Sequence, residues 1–225
     1  GYGLTETAPL VAGQISPRVK LGSTGPAMGG VEVRLDDINP ETGHGEIVVK
    51  TPCALQGYYK NEEATASVFT KDGWFRTGDL GYIDEEGFIF IKGRLKNMIV
   101  GPSGENIYPE EIENVINNVE GVSESIVVER DGRLVALVQP MENYIDWDSE
   151  FEDKFYEKLD SWKAKLLGDV NKSVNKSSQV SSVEVMKEPF EKTATQKIRR
   201  FKYKDSAPTV EQYSKNEKKE QEKKK

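Results

Sequence analysis

Two hydrophobic periodicities share this chain, and one gives way to the other between residues 92 and 97. Up to about residue 92, short runs with strand character alternate with glycine-rich turns. Val31-Glu32-Val33-Arg34-Leu35 alternates apolar and polar residues, and Glu46-Ile47-Val48-Val49-Lys50 reads as a second short strand. Between them Asn39-Pro40-Glu41-Thr42-Gly43 is loop chemistry. Gly87-Phe88-Ile89-Phe90-Ile91-Lys92 is apolar on both faces and predicts a buried strand. This half therefore reads as a small barrel or sandwich belonging to a larger assembly.

From about residue 97 the pattern is mixed. Tyr108-Pro109-Glu110-Glu111 opens a helix, with proline in its first turn and carboxylates near its positive end. Ile112, Val115, Ile116 and Val119 give that helix its apolar stripe, and Gly121 is the expected C-cap. Ser125–Arg130 and Arg133–Pro140 predict strands joined by Asp131-Gly132, a strong two-residue hairpin signal. Phe151, Phe155, Leu159, Trp162, Leu166 and Val170 recur at helical spacing, and Val183-Glu184-Val185 reads as one more strand. Two helices over three strands make a small α+β domain. Residues 204–225 carry seven Lys and five acids, with little to bury, and are expected to be a disordered charged tail.

Charge and composition narrow the function. With 31 Lys+Arg against 38 Asp+Glu the net charge is −7, which argues against a nucleic-acid partner held on a broad basic face. One Cys (Cys53) and one His (His44) exclude a disulfide framework or a Cys/His zinc site built by this chain alone. Neither an apolar run of about eighteen residues nor a basic-then-apolar leader is visible, so a cytoplasmic setting is expected.

Four segments carry chemistry. In Gly1-Tyr2-Gly3-Leu4-Thr5-Glu6-Thr7, flanking glycines expose a flat ring, and Thr5 and Glu6 offer hard oxygens suited to Mg²⁺ or a phosphate-bound water; a plain polar turn accounts for the same residues. In Trp74-Phe75-Arg76-Thr77-Gly78-Asp79-Leu80, Asp79 is placed either to chelate two ribose hydroxyls or to cap a turn. Gly93-Arg94-Leu95-Lys96, at the change of periodicity, reads as an interdomain hinge, and the Gly101–Gly104 loop can approach a ligand closely. Thr193-Ala194-Thr195-Gln196-Lys197 precedes Arg199-Arg200; Lys197 is either a cation for a phosphoryl centre or part of a basic surface run.

In this order the four segments resemble the adenylate-forming (AMP-binding) superfamily of acyl-CoA synthetases, peptide-synthetase adenylation domains and luciferases, over about residues 1–203. Met98-Ile99-Val100, Pro102-Ser103-Gly104 and Asn106-Ile107-Tyr108-Pro109 look most like the long-chain fatty acyl-CoA synthetases. The resemblance implies an α+β fold. Residues 1–95 would be a β-rich subdomain, part of a distorted barrel that completes a large N-terminal domain, and residues 96–203 a small mobile C-terminal domain. It implies ATP, Mg²⁺ and CoA as cofactor and co-substrates and a two-step ligase: a fatty acid attacks the α-phosphate of ATP, then the CoA thiol displaces AMP.

By the same resemblance Tyr2 stacks on adenine, Thr5 holds phosphate, Glu6 holds Mg²⁺, and Asp79, with Arg94 beside it, takes the ribose. Ile91 lines the adenine pocket, Lys96 is the hinge, Gly104 lines the CoA tunnel and Lys197 stabilises the pentavalent phosphate. Many members have Gly-Lys where this chain has Gln196-Lys197. The family's Ser/Thr/Gly-rich phosphate loop is not in this sequence, which opens on Gly1 without Met. The chain is therefore expected to be the C-terminal part of a longer ligase, inactive without the part that builds the acyl pocket. A long-chain acid implies transient membrane contact. Other expectations remain open: a ligase for aryl acids, an amino-acid adenylation domain, or a non-catalytic nucleotide-binding module.

Overall fold

The computed structural model of the protein describes residues 1–145 and 152–210. They form two compact units, Gly1–Asn97 and Met98 onward. In the first, β1 (Tyr2–Gly3) pairs with β2 (Leu10–Ala12). Five more strands follow: β3 (Gly25–Pro26), β4 (Glu32–Asp36), β5 (Gly45–Lys50), β6 (Phe75–Ile83) and β7 (Phe88–Arg94), with a short helix α1 (Glu62–Ser67) between β5 and β6. They make one antiparallel sheet in the order β3-β7-β6-β5-β4. The sheet is open, with β3 and β4 at its edges, and does not close into a barrel. Val11, Ala12, Ile47, Val49 and Ile89 form its core.

The alternation in β4 and the apolar run in β5 lie where the sequence places them. The central strand β6 is a correction. Its Thr77-Gly78-Asp79 reads locally as a turn but runs within a nine-residue strand. Arg76 pairs with Val48 and Leu80 with Glu46, so three residues of β6 stand opposite Ile47 alone. Such a bulge bends a strand and re-aims a side chain.

The second unit opens with β8 (Ile99–Val100) and β9 (Asn106–Ile107), a hairpin around the Gly101–Gly104 loop. Then come α2 (Pro109–Ile116), β10 (Val122–Arg130), β11 (Arg133–Pro140), α3 (Glu152–Ser173) and β12 (Ser182–Val185). β10 and β11 are antiparallel across Asp131-Gly132, whose φ values of 51° and 70° fit the two-residue turn the dipeptide predicts. β12 joins parallel to β11, so α3 is the crossover.

Both faces of this three-stranded sheet are covered, which explains why Leu134 to Val138 are buried without a break. On one face lie Ile112 and Ile116 of α2 with Leu166 and Val170 of α3; burying each such side chain contributes about 1.5–3 kcal/mol. On the other face Met186, Phe190, Tyr203 and Ala207 pack against Ile126, Val128, Val135 and Leu137.

Two expectations change here. Helix α2 ends at Ile116 with Asn117 as its C-cap, and Gly121 (φ 87°) serves the turn into β10 instead. The charged tail does not begin at 204: Ala207, Thr209 and Val210 are buried, and Thr209 bridges to Met186, because a short apolar patch inside a charged stretch suffices to dock on a core. The remainder of the expected tail, 211–225, and Phe151 of the predicted helix lie outside the described residues. Among the described residues no helix is long and apolar enough to cross a membrane.

Candidate functional site

The bulge in β6 is where the first unit assembles its polar groups. Extra residues in a strand leave backbone donors and acceptors without ladder partners, and each unpaired buried group costs about 1–3 kcal/mol. Here they are paired locally. The Thr77 hydroxyl donates to the Ile47 carbonyl (2.6 Å) and accepts from the Asp79 N–H (3.0 Å). The Gly78 N–H donates to Glu46 Oε1 (3.1 Å), and Arg94 Nη1 donates to the Thr77 carbonyl (3.0 Å). Gly78 has φ 71°, a left-handed conformation that glycine adopts without strain.

Asp79, buried to 5% exposure, emerges from this bulge. Arg94 Nε sits 2.8 Å from its Oδ1, and the Tyr2 hydroxyl donates to its Oδ2 at 2.6 Å. The structure thus brings Tyr2, Asp79 and Arg94 together from β1, β6 and β7. Ile91 lies on β7 beside the same apolar cluster that Tyr2 borders. Burial pushes the Tyr2 phenol well above its ordinary value of 10.0, and the charge and hydrogen bond of Asp79 add to the rise, against smaller opposing effects of Thr77 and Arg94.

A consequence is measurable. A folded-state value above the unfolded one means that this tyrosine favours the folded unit fully below its ordinary value and less as pH rises past it. The wild-type chain and Tyr2→Phe are expected to give the same tyrosinate difference spectrum up to the onset of alkaline unfolding. A tyrosine missing from the variant's titration before unfolding would contradict the burial of Tyr2.

Thr5 and Glu6 lie on a one-turn 3-10 helix, Thr5–Thr7, and the Glu6 carboxylate accepts from the Tyr58 hydroxyl at 3.2 Å. No cluster of three metal-ligating side chains exists among the described residues. A single carboxylate with a neighbouring hydroxyl nevertheless fits Mg²⁺ carried by a nucleotide, since that ion keeps most of its waters and takes one or two carboxylates plus phosphate oxygens. Lys96 is exposed on a short turn, Leu95–Asn97, at the end of the first unit.

Gly104 and Lys197 belong to the second unit, on separate hairpins. Gly104 has φ 84°, and open space surrounds the position a Cβ would take. Lys197 follows a three-residue hairpin loop: the Gln196 N–H donates to the Thr193 carbonyl (2.9 Å) and the Thr193 N–H to the Lys197 carbonyl (2.8 Å). Gln196, at φ 61°, occupies the left-handed position that favours glycine. Glycine would take this position without strain. Lys197 is exposed, and among the described residues its amine has no carboxylate partner.

Glu46, Thr77 and the Glu113–Arg200 pair are site-supporting residues that the sequence reading left unassigned. Arg200 donates through both terminal nitrogens to Glu113 of α2, one bond at 2.6 Å. A carboxylate one position from the apolar stripe of α2 is the signal that could have raised Glu113; nothing local marks its partner.

Open antiparallel sheet and small α+β unit together, the fold resembles that of AMP-forming acyl- and aryl-CoA synthetases. O-succinylbenzoate coenzyme A synthetase (MenE) of Bacillus subtilis, in complex with AMP, superposes with a TM-score of 0.73 at 28% identity over 92% of this chain and 40% of that one. ATP-bound MatB of Rhodopseudomonas palustris gives 0.67 at 32% identity, over 89% and 38%. Residues 1–59 match the AMP-binding enzyme family and residues 96–217 the AMP-binding enzyme C-terminal domain, so the chain belongs to the AMP-binding enzymes. A 2-succinylbenzoate–CoA ligase of Listeria innocua is 46% identical over 130 residues, 56% of this chain and 26% of that protein. The long-chain-fatty-acid–CoA ligase FadD13 of Mycobacterium tuberculosis is 45% identical over 148 residues, 61% and 29%. The chain thus spans between a quarter and a third of the length of these curated relatives.

Proposed function

We propose that the chain is the C-terminal part of an ATP-dependent acyl-CoA ligase that converts a long-chain fatty acid to acyl-AMP and then to acyl-CoA. The observation that carries this reading is Asp79, raised on a strand bulge and gripped on opposite oxygens by Tyr2 and Arg94 in a chain of the AMP-binding family. In the first step a carboxylate oxygen bonds to the α-phosphorus of ATP and the bond to pyrophosphate breaks. In the second the CoA sulfur bonds to the acyl carbon and AMP leaves.

Asp79 accepts the ribose hydroxyls in an orientation fixed by Tyr2 and Arg94. The Tyr2 ring and Ile91 bound the adenine, and Thr5 steadies a phosphate. Glu6 would ligate the Mg²⁺ of the nucleotide, which supplies charge neutralisation at the phosphates. Lys197 donates to the α-phosphate oxygens as they gain charge, an interaction worth most in the transition state. Gly104 leaves room along its loop for CoA, and Lys96 is the hinge residue. The similarity to FadD13 supports a long-chain acid, and transient contact with a membrane surface follows from that substrate. The similarity to the Listeria ligase and to MenE supports an aryl acid as the second reading.

The test is a coupled assay for AMP and acyl-CoA with ATP, Mg²⁺, CoA and a panel of fatty and aryl acids. It compares the 225-residue chain with the whole ligase that carries it. Activity in the whole ligase alone, highest on long-chain acids, is the expected result. Preference for an aryl acid moves the second reading to first place. No acyl-AMP from any acid sinks both.

A further inference from the structure

We infer that Arg200, locked to Glu113, is a positioning residue for Lys197: it fixes the segment that leaves the Lys197 loop against α2 and β10, so that losing it slows adenylation selectively. The inference rests on the ligase reading of Lys197 given above.

Lys197 is an exposed side chain on a tight loop, and a loop alone holds an ammonium group loosely. Its backbone is held on both flanks. Before it, Lys192 bridges to Ile198 and its amine reaches Glu124 of β10 at 2.7 Å. After it, Ile198 packs on the second face of the sheet, the Arg199 N–H donates to the Glu191 carbonyl (2.9 Å), and Arg200 forks onto Glu113.

These two ion pairs are unequal. The side chains of Lys192 and Glu124 are 29% and 33% exposed, a setting in which solvent screens an ion pair and leaves it loosely held. The Glu113 side chain is only 7% exposed and meets a planar two-pronged donor, the geometry that orients most firmly. Glu113 has a further commitment: its Oε1 accepts the Val127 N–H of β10 at 2.7 Å. One carboxylate therefore ties together a helix, the outer edge of the sheet and the one-turn 3-10 helix Arg200–Lys202 that follows the Lys197 loop. Burial works against the Arg200 cation, but the bonds and charge of Glu113, with Glu110 beyond, hold its guanidinium above the ordinary value.

Arg200 lies three residues from Lys197, and the hydrogen bonds that close the loop transmit any slack directly to it. Displacing a catalytic cation by about 1 Å can cost up to about 10²-fold. Loss of folded protein, in contrast, lowers both half-reactions by one common factor.

The test has two arms. In the whole ligase, Arg200→Gln is expected to lower acyl-AMP formation about tenfold or more while thioester formation from supplied acyl-AMP stays within about a factor of two. Arg200→Lys, which keeps the charge but not the fork, should fall between and serves the same comparison if Arg200→Gln does not fold. In the 225-residue chain, hydrogen exchange at the Thr193 amide should quicken in both variants while the amides of Ile126 and Leu137 stay protected. An equal loss in the two half-reactions, or unchanged exchange at Thr193, overturns the inference. A wild-type ligase that makes no acyl-AMP sinks the ligase reading itself, and the exchange arm, which needs no activity, still decides whether Arg200 holds the hairpin.

Discussion

Lys197→Ala in the whole ligase is expected to slow acyl-adenylate formation by about 10²–10³-fold, or about 3–4 kcal/mol, and to leave thioester formation from supplied acyl-AMP within about a factor of two. The size follows from what the proposed role asks of the side chain at each step. When the acid attacks, negative charge grows on the α-phosphate oxygens, and a preorganised ammonium stabilises that charge more than it stabilises bound ATP. When CoA attacks the acyl carbon, charge develops on the carbonyl and no phosphorus bond changes until AMP leaves. The exposed amine, with no carboxylate partner among the described residues, is available for the first task. Single-turnover rates for the two steps, measured separately, check it. A similar loss in both would remove Lys197 from the phosphate.

How far the sequence carried depended on whether the information was local. The β10–β11 hairpin was legible because Asp131-Gly132 can adopt two positive φ values and apolar runs flank it. The proline and acids of α2 and the apolar stripe of α3 were legible for the same reason. The strand β6 was not, because Thr-Gly-Asp is turn chemistry wherever it stands alone. What makes it strand is Glu46 and Ile47, some thirty positions earlier, and Arg94, 17 later, which satisfy the bulge's backbone groups. The docking of Ala207 to Val210 failed in sequence likewise: a few small and apolar residues amid charges carry no periodicity, and only distant partners, Leu137 and Met186 for Ala207 and Leu159 and Val185 for Val210, give them a place.

The candidate site divides along the same line. Tyr2, Asp79 and Arg94 were each singled out from their own segments, yet their mutual geometry, Tyr2 and Arg94 on opposite carboxylate oxygens, is a property of three strands and of no one segment. Glu113 lies two residues past the quoted Tyr108-Pro109-Glu110-Glu111, and Arg200 three past Lys197. Their pairing spans 87 positions and leaves no local trace.

Asp79→Ala should weaken ATP binding by about 3 kcal/mol, seen as a rise of about two orders of magnitude in KM for ATP. Two hydrogen bonds from ribose hydroxyls to a carboxylate, at about 1.5–3 kcal/mol each, set that scale, and part is recovered by water entering the vacated space. The same substitution leaves Arg94 and the Tyr2 hydroxyl without their partner. The Arg94 side chain is 33% exposed and keeps its bond to the Thr77 carbonyl, so its share of the cost to folding should stay within about 1 kcal/mol, and the buried Tyr2 hydroxyl adds about 1–3 kcal/mol. Asp79→Asn separates the two effects. It preserves shape and one acceptor oxygen, so stability should return to nearly wild type, while the loss of charge keeps most of the defect in KM. Measuring denaturation midpoints beside nucleotide KM for both variants decides the matter. If Asp79→Asn binds ATP as the wild type does, the carboxylate is there for Arg94 and Tyr2 alone, and the ribose must be held elsewhere.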